Sequence, residues 1–166
     1  MRIALAIVLP LLAALLQGTL APFIAIGPAR PNLPLLLAGS WSVAAGASEA
    51  VWWAFIGGLG ADLLSGGPLG AFAAAGLAPV AAIGLGERSS ARSTPVLAAV
   101  GLIGVATLAA SLAYVALLAL VGQPLPPLPA LLLDSVAGAV YTAALAVIAY
   151  PLARALRGAT EQESPF

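Results

Sequence analysis

Residues 95–121 read PVLAAVGLIGVATLAASLAYVALLALV and contain no charged side chain. A helix needs about 20 mainly apolar residues to cross the ~30 Å hydrocarbon core of a bilayer. Lipid offers no hydrogen bonds to the backbone, so a crossing segment must satisfy its own polar groups, as an α-helix does. This stretch is therefore predicted to be a transmembrane helix.

The rest of the chain shares this shortage of charge. Only 7% of the 166 residues are charged, and the mean hydropathy is +1.10, whereas about a quarter of the residues in a soluble domain are charged. Further uncharged runs separate Arg2 from Arg30, Asp62 from Glu87, and Asp134 from Arg154. We therefore predict an integral membrane protein.

The composition also argues against several kinds of site. The chain has no Cys and no His, which removes disulfides and most transition-metal sites. We accordingly expect no metal and no cofactor. A formal net charge of zero without a basic cluster argues against a nucleic-acid partner. Because Ser65 has no suitable base nearby in the sequence, we also expect that the protein is not an enzyme.

We predict an all-α fold consisting of a single transmembrane domain, 1–154, and a short disordered cytoplasmic tail, 155–166. Turns rich in Gly and Pro divide the domain. The predicted membrane segments are 3–21, 33–47, 50–64, 69–86, 95–121 and 129–153.

Residues 33–64 allow two interpretations. As one helix they would be ~48 Å long and would place Glu49 inside the membrane, and as two helices each would be ~22 Å long. We prefer two helices, which gives six crossings in all.

The arginines predict the orientation, because cytoplasmic loops carry an excess of positive charge. Six crossings with both termini in the cytoplasm leave only Arg30 outside. The cytoplasmic arginines would be Arg2, Arg88, Arg92, Arg154 and Arg157. A five-helix arrangement with an external N-terminus gives the same ratio, so the lengths of the helices favour six.

Three charged residues are predicted to meet near the outer face: Arg30, Asp62 and Asp134. Charged groups at membrane depth are costly unless they are paired, so we expect Arg30 to pair with Asp62 or with Asp134. The alternative for Asp62 is that it caps backbone N–H groups in the turn that follows it.

At the inner face, Trp52 and Trp53 are predicted to anchor the third helix at the membrane interface, beside Glu49. The alternative for this cluster is a docking site for a neighbouring membrane helix. Arg88 and Arg92 lie four apart in the largest cytoplasmic loop and are predicted to contact anionic lipid.

Small and hydroxyl residues also recur at helical spacing on the last two helices. On the fifth these are Gly104, Thr107, Ser111 and Tyr114. Such a face serves either close helix packing or a ligand pocket, and an acidic residue in the next helix, Asp134, keeps the pocket possible.

The run Asp62-Leu63-Leu64-Ser65-Gly66-Gly67-Pro68-Leu69-Gly70, together with Arg30-Pro31-Asn32-Leu33, resembles the rod shape-determining MreD family. Family members have about six membrane helices, cytoplasmic termini, and a Gln near the outer end of the first helix, here Gln17. The family usually has Asp where this chain has Asn32. That exchange preserves helix capping but removes a negative charge.

The resemblance implies a non-enzymatic scaffold of the cell-elongation machinery in the bacterial inner membrane. Its partner would be an MreC-like single-span protein, and the complex would link cytoplasmic MreB filaments to the polymerase RodA and a class B penicillin-binding protein. An exposed groove of small residues would receive the partner's helix. The partner-binding or structural residues would be Arg30, Asp62, Gly66, Gly67, Pro68 and Asp134.

The resemblance also implies a fold similar to the substrate-binding subunits of energy-coupling-factor transporters. The alternative function is therefore that of a substrate-binding subunit in a small-molecule (vitamin) importer. The short outer loops, which are mostly Gly, Pro and Leu, favour the scaffold.

Overall fold

A computed structural model describes residues 2–87 and 94–162, and over these ranges the chain forms six α-helices and no β-strand. All six predicted segments are present as helices. Their bounds are α1 Arg2–Thr19, α2 Leu33–Ala45, α3 Ala47–Ser65, α4 Ala71–Glu87, α5 Val96–Leu120 and α6 Leu128–Gln162.

The prediction of two helices over residues 33–64 is confirmed. Gly46 separates α2 from α3 with φ 95° and ψ 171°, a positive-φ conformation that glycine adopts far more readily than other residues. Asn32 caps the start of α2, because its Oδ1 accepts a 3.1 Å hydrogen bond from the backbone N of Leu35.

The short helix α2 lies at the centre of the bundle and contacts each of the other five helices. Ten of its thirteen residues are buried, so it need not match the thickness of a membrane on its own. The other helices pack around it in the order α1, α3, α4, α5 and α6, each against the next.

Glycines bring α3 close to its neighbours. A Cβ added at Gly58 would lie 2.5 Å from Cα of Ala73 on α4, and one at Gly60 would lie 2.8 Å from Cβ of Ala14 on α1. Because no side chain fits at such distances, the backbones approach more closely than larger residues would allow.

Hydrogen bonds between distant residues define one end of the bundle, which we call the Arg30 end. Oε1 of Gln17 on α1 accepts from the backbone N of Leu33 at 2.7 Å. The backbone N of Asn32 donates to Oγ1 of Thr142 on α6 at 2.9 Å. The end of α1 and the start of α2 are thereby fixed against α6.

The opposite end, which we call the Trp53 end, is fixed in the same way. The hydroxyl of Tyr150 on α6 donates to the carbonyl of Thr94, just before α5, at 2.9 Å. Tyr150 is only 1% exposed, so this bond joins α6 to the chain preceding α5 inside the protein.

The predicted disordered tail, 155–166, is helical over most of its length, because α6 continues to Gln162. Nη1 of Arg157 donates a hydrogen bond to the carbonyl of Ala44 at the end of α2. Leu156 lines a cavity together with residues of α1. These contacts give the last turns of α6 a surface to pack on, and the final four residues of the tail lie outside the described part.

Two of the described helices are long and apolar enough to cross a membrane: α5, over Val96–Leu120, and α6, over Leu128–Thr160. Three shorter apolar helices accompany them, at Ala4–Thr19, Leu33–Ala45 and Ala71–Gly86. The outward faces of α1, α5 and α6 carry many exposed large apolar side chains.

Candidate functional site

The carboxylate of Asp62, near the end of α3, accepts hydrogen bonds from backbone N–H groups around the start of α4. Its Oδ2 accepts hydrogen bonds from the backbone N of Gly70 at 3.0 Å and of Ala73 at 3.2 Å, and its Oδ1 accepts from Phe72 at 3.0 Å. The first N–H groups of a helix have no partner within it and favour a negative charge. The capping interpretation is therefore confirmed, and the expected Arg30–Asp62 pair is wrong.

The neighbouring motif residues build the turn between α3 and α4. Gly66 ends α3 in the left-handed conformation, with φ 68° and ψ 10°. The carbonyl of Pro68 accepts a 3.2 Å hydrogen bond from the backbone N of Ala71, at the start of α4. A Cβ at Gly67 would lie 3.4 Å from the hydroxyl of Tyr114 on α5. Gly66, Gly67 and Pro68 thus position the loop that Asp62 holds.

Arg30 and Asp134 lie close together without forming an ion pair. With Gly27 and Pro28 they line a cavity of about 270 Å³ at the Arg30 end. No nitrogen of Arg30 lies within 4.0 Å of a carboxylate oxygen in the described part of the chain. The expected Arg30–Asp134 ion pair is therefore also absent from the structure; both side chains are exposed, and exposed charges gain little from direct pairing.

A second cavity of about 300 Å³ adjoins this one, because Asp134 lines both. It lies between α2, α4, α5 and α6 and includes loop residues 124–126. Its apolar walls are formed by Leu35, Phe72, Val115, Leu118, Leu125 and Leu131.

Several polar groups of the second cavity have no partner within the described residues. Ser135 is only 7% exposed, yet its hydroxyl makes no hydrogen bond there. The hydroxyls of Ser111 and Tyr114 are likewise unpaired. These three hydroxyl oxygens are not fully buried; among the described residues, the fully buried side-chain polar atoms without a partner are Ser40 Oγ and Trp53 Nε1. The hydroxyls of the second cavity are therefore free to bond a molecule that enters it.

The helical face predicted on α5 packs against α6 over one part of its length and lines a cavity over the other. Toward the Trp53 end it serves packing: a Cβ at Gly104 would lie 3.1 Å from Cβ of Ala143 on α6, and Thr107 bonds the carbonyl of Ile103 within its own helix. Toward the Arg30 end, Ser111 and Tyr114 line the second cavity.

The two adjacent tryptophans of α3 have different environments. Trp52 is 63% exposed, but Trp53 is only 3% exposed. Trp53 stacks on Trp41 of α2, with ring centroids 4.4 Å apart and planes at 10°. The prediction that Trp53 lies at the membrane interface is therefore wrong: it faces α2, and it belongs to the core. Arg88 and Arg92 lie outside the described residues.

Sequence reasoning missed a cavity at the Trp53 end. It measures about 210 Å³ and lies in the gap between α1 and α6, with Trp41, Glu49 and Trp53 among its lining residues. Oε2 of Glu49 accepts a 3.1 Å hydrogen bond from Nε1 of Trp41. The only signal in the sequence was the presence of a carboxylate close to three indoles.

A shallow groove runs along the surface between α4 and α5. Apart from Pro79 and two leucines, it is lined by alanines. These are Ala74, Ala75, Ala78 and Ala82 on α4 and Ala109, Ala113 and Ala116 on α5. We call it the alanine groove; its volume is about 630 Å³.

No family model, no curated protein and no solved structure matches the chain. Within residues 2–87 and 94–162, no group of three or more acidic side chains could hold a metal ion. The candidate site consists of the surfaces described above: the two cavities at the Arg30 end and the alanine groove.

Proposed function

We propose that this protein is a polytopic membrane scaffold without enzymatic activity. In this proposal the six helices cross the bacterial inner membrane, both termini lie in the cytoplasm, and the alanine groove binds the transmembrane helix of a single-span partner. The resemblance to the MreD family suggests an MreC-like partner, and through it MreB, RodA and a class B penicillin-binding protein.

The exposed apolar surface supports the membrane location. The most apolar part of α5 has a mean hydropathy of 2.3 but is only 28% buried, and the corresponding part of α6 is only 22% buried. Soluble monomeric proteins rarely expose large apolar patches, so this exposure supports a location in the membrane. Lipid is the solvent that such faces fit.

The alanine groove is the observation that carries the scaffold proposal. Lipid tails are as apolar as leucine side chains, so membrane helices associate through close packing, and small residues at an interface allow it. Alanines from α4 and α5 together form a concave surface, open to the surroundings, that a partner helix can enter.

The proposal is tested by filling the groove. Ala78 and Ala109 are exposed and line it from opposite helices. The double variant Ala78→Leu/Ala109→Leu keeps helix propensity and apolar character but adds bulk where the partner must pack. We expect recovery of a single-span partner, measured by mass spectrometry after gentle solubilisation, to fall by at least about tenfold.

The matched control is Ala144→Leu, at an exposed position on α6 outside the groove. It should leave recovery of the partner unchanged. Equal recovery from the control and from the double variant would rule out the groove as the binding surface, and absence of any single-span partner would rule out the scaffold.

The second cavity at the Arg30 end favours one other candidate function, a substrate-binding subunit of a small-molecule importer. About 300 Å³ is at the lower end of the range for ligand pockets. The same purification distinguishes the two functions, because an importer subunit would carry a metabolite and energy-coupling subunits instead of a single-span partner.

A further inference from the structure

We infer that the paired cavities at the Arg30 end bind a zwitterionic amphiphile: a molecule in which a primary ammonium lies beside a carboxylate or phosphate on an apolar body. This inference goes beyond the scaffold function and does not depend on it. It rests on the charges, the unpaired hydroxyls and the shape of this end of the bundle.

The first observation concerns charge. Six charged side chains have described positions, those of Arg30, Glu49, Asp62, Asp134, Arg154 and Arg157, and four of these six have a partner. Asp62 accepts three backbone hydrogen bonds, Glu49 accepts from Trp41, Arg157 donates to a carbonyl, and the Arg154 guanidinium lies 5.8 Å from the centroid of the Tyr150 ring.

The two exceptions, Arg30 and Asp134, line one cavity. They carry opposite charges, yet they are too far apart to neutralise each other directly. A ligand that carries both an anion and a cation can satisfy both at once: its anionic group would accept from the Arg30 guanidinium, and its ammonium would donate to the Asp134 carboxylate.

The second observation is independent of charge. Asp134 also lines the second cavity, where the hydroxyl of the buried Ser135 has no hydrogen-bond partner among the described residues. The neighbouring hydroxyls of Ser111 and Tyr114 have none either. A ligand ammonium has three donors, so the Asp134 carboxylate and the Ser135 hydroxyl supply acceptors for it side by side.

The third observation is the space next to these groups. The second cavity has a volume of about 300 Å³, is open to the surroundings, and is lined mainly by apolar side chains of α2, α4, α5 and α6. This space suits an apolar body attached to the ammonium, and desolvating that body contributes roughly 25 cal/mol per Å² of apolar surface buried. Polar groups at the mouth and apolar walls behind it match an amphiphile.

Two sources supply this chemistry. One is a free α-amino acid with a large apolar side chain, and the other is an aminophospholipid whose phosphate and ammonium lie at the membrane surface. Both present the same charged groups to Arg30 and Asp134, and the experiment separates them.

The test uses the full chain, purified in a maltoside detergent and stripped of lipid. One arm measures binding of radiolabelled L-phenylalanine and L-leucine by scintillation proximity. The other titrates dioleoylphosphatidylethanolamine in native mass spectrometry, with dioleoylphosphatidylglycerol, which lacks the ammonium, as comparison. We expect one arm to show saturable binding, and which arm it is identifies the source.

The variants Asp134→Asn and Arg30→Gln should each weaken that binding by about 10- to 100-fold, the usual loss for a hydrogen bond to a charged group. Both residues are exposed, so the fold should be unaffected. Glu49→Gln, at the Trp53 end, is the matched control and should leave binding unchanged.

Three results would overturn the inference. The first is that neither arm shows binding. The second is that Asp134→Asn binds as tightly as the unmodified protein. The third is that the two phospholipids bind with equal affinity and that Asp134→Asn weakens both to the same extent. Loss of partner recovery in Asp134→Asn without zwitterion binding would instead assign the cavities to the partner protein.

Discussion

At the scale of single residues, Asp62 shows how one carboxylate holds a loop and a helix together. It is 2% exposed and accepts from three backbone N–H groups at the start of α4. We predict that Asp62→Ala lowers the free energy of unfolding by about 1–3 kcal/mol, because the substitution leaves buried donors without an acceptor. Thermal unfolding in detergent measures this loss.

Asp134→Ala is the comparison for that experiment. Asp134 is an acidic residue at the same end of the bundle, but it is exposed and makes no hydrogen bond or ion pair among the described residues. Its removal should change stability by less than about 0.5 kcal/mol. Equal losses in the two variants would mean that the cap contributes nothing specific.

At the scale of helices, α3 depends on glycine for its approach to α4. A Cβ at Gly58 would lie 2.5 Å from Cα and 2.9 Å from N of Ala73, which are backbone atoms that cannot move aside alone. We predict that Gly58→Ala forces α3 and α4 apart and lowers the free energy of unfolding by about 1–3 kcal/mol, as overpacking does. Chemical unfolding of the purified variant measures the change.

Gly101→Ala makes the same substitution on α5 at a position where a Cβ would meet nothing within 4 Å. Because alanine favours helix more than glycine does, this control should be neutral or more stable by up to about 1 kcal/mol. A neutral Gly58→Ala would show that the α3–α4 contact tolerates displacement.

The sequence predicted the helices well because the signals for them are local. Uncharged runs mark the interiors of the helices, and turns such as Gly66–Pro68 mark their ends. Trp53 could not be placed in the same way: neighbouring helical positions differ by about 100° in direction, and only the position of α2 decides that Trp53 is buried and Trp52 exposed. The extension of α6 likewise depends on distant contacts, such as that of Arg157.

At the scale of the whole molecule, the sequence correctly predicted which charged residues share one end of the bundle, but it did not predict what they bind. Arg30, Asp62 and Asp134 do lie at the Arg30 end. We expected Arg30 to form an ion pair because opposite charges attract, whereas in the structure Asp62 accepts hydrogen bonds from backbone N–H groups at the start of α4. The cavities arise from how α2 and α4–α6 meet around them, which no single segment encodes.

The proposed topology makes a prediction about which end of the bundle faces which compartment. The chain contains no Cys, so each single-Cys variant carries one thiol. We choose two positions for the thiol. Gln123 lies in the exposed loop between α5 and α6 at the Arg30 end, and Gly158 lies on the exposed last turns of α6 at the Trp53 end; the variants are Gln123→Cys and Gly158→Cys. Positive charge is retained on the cytoplasmic side, so the Arg30 end should face outward.

A membrane-impermeant maleimide added to spheroplasts should therefore label Gln123→Cys, and it should label Gly158→Cys only after the membrane is opened. The readout is the mass shift of the purified protein. The reverse pattern would place the cavities of the Arg30 end in the cytoplasm, and the proposed orientation would then be wrong. Labelling of both thiols from one side would mean that α6 does not cross the membrane, and the six-crossing proposal would then be wrong.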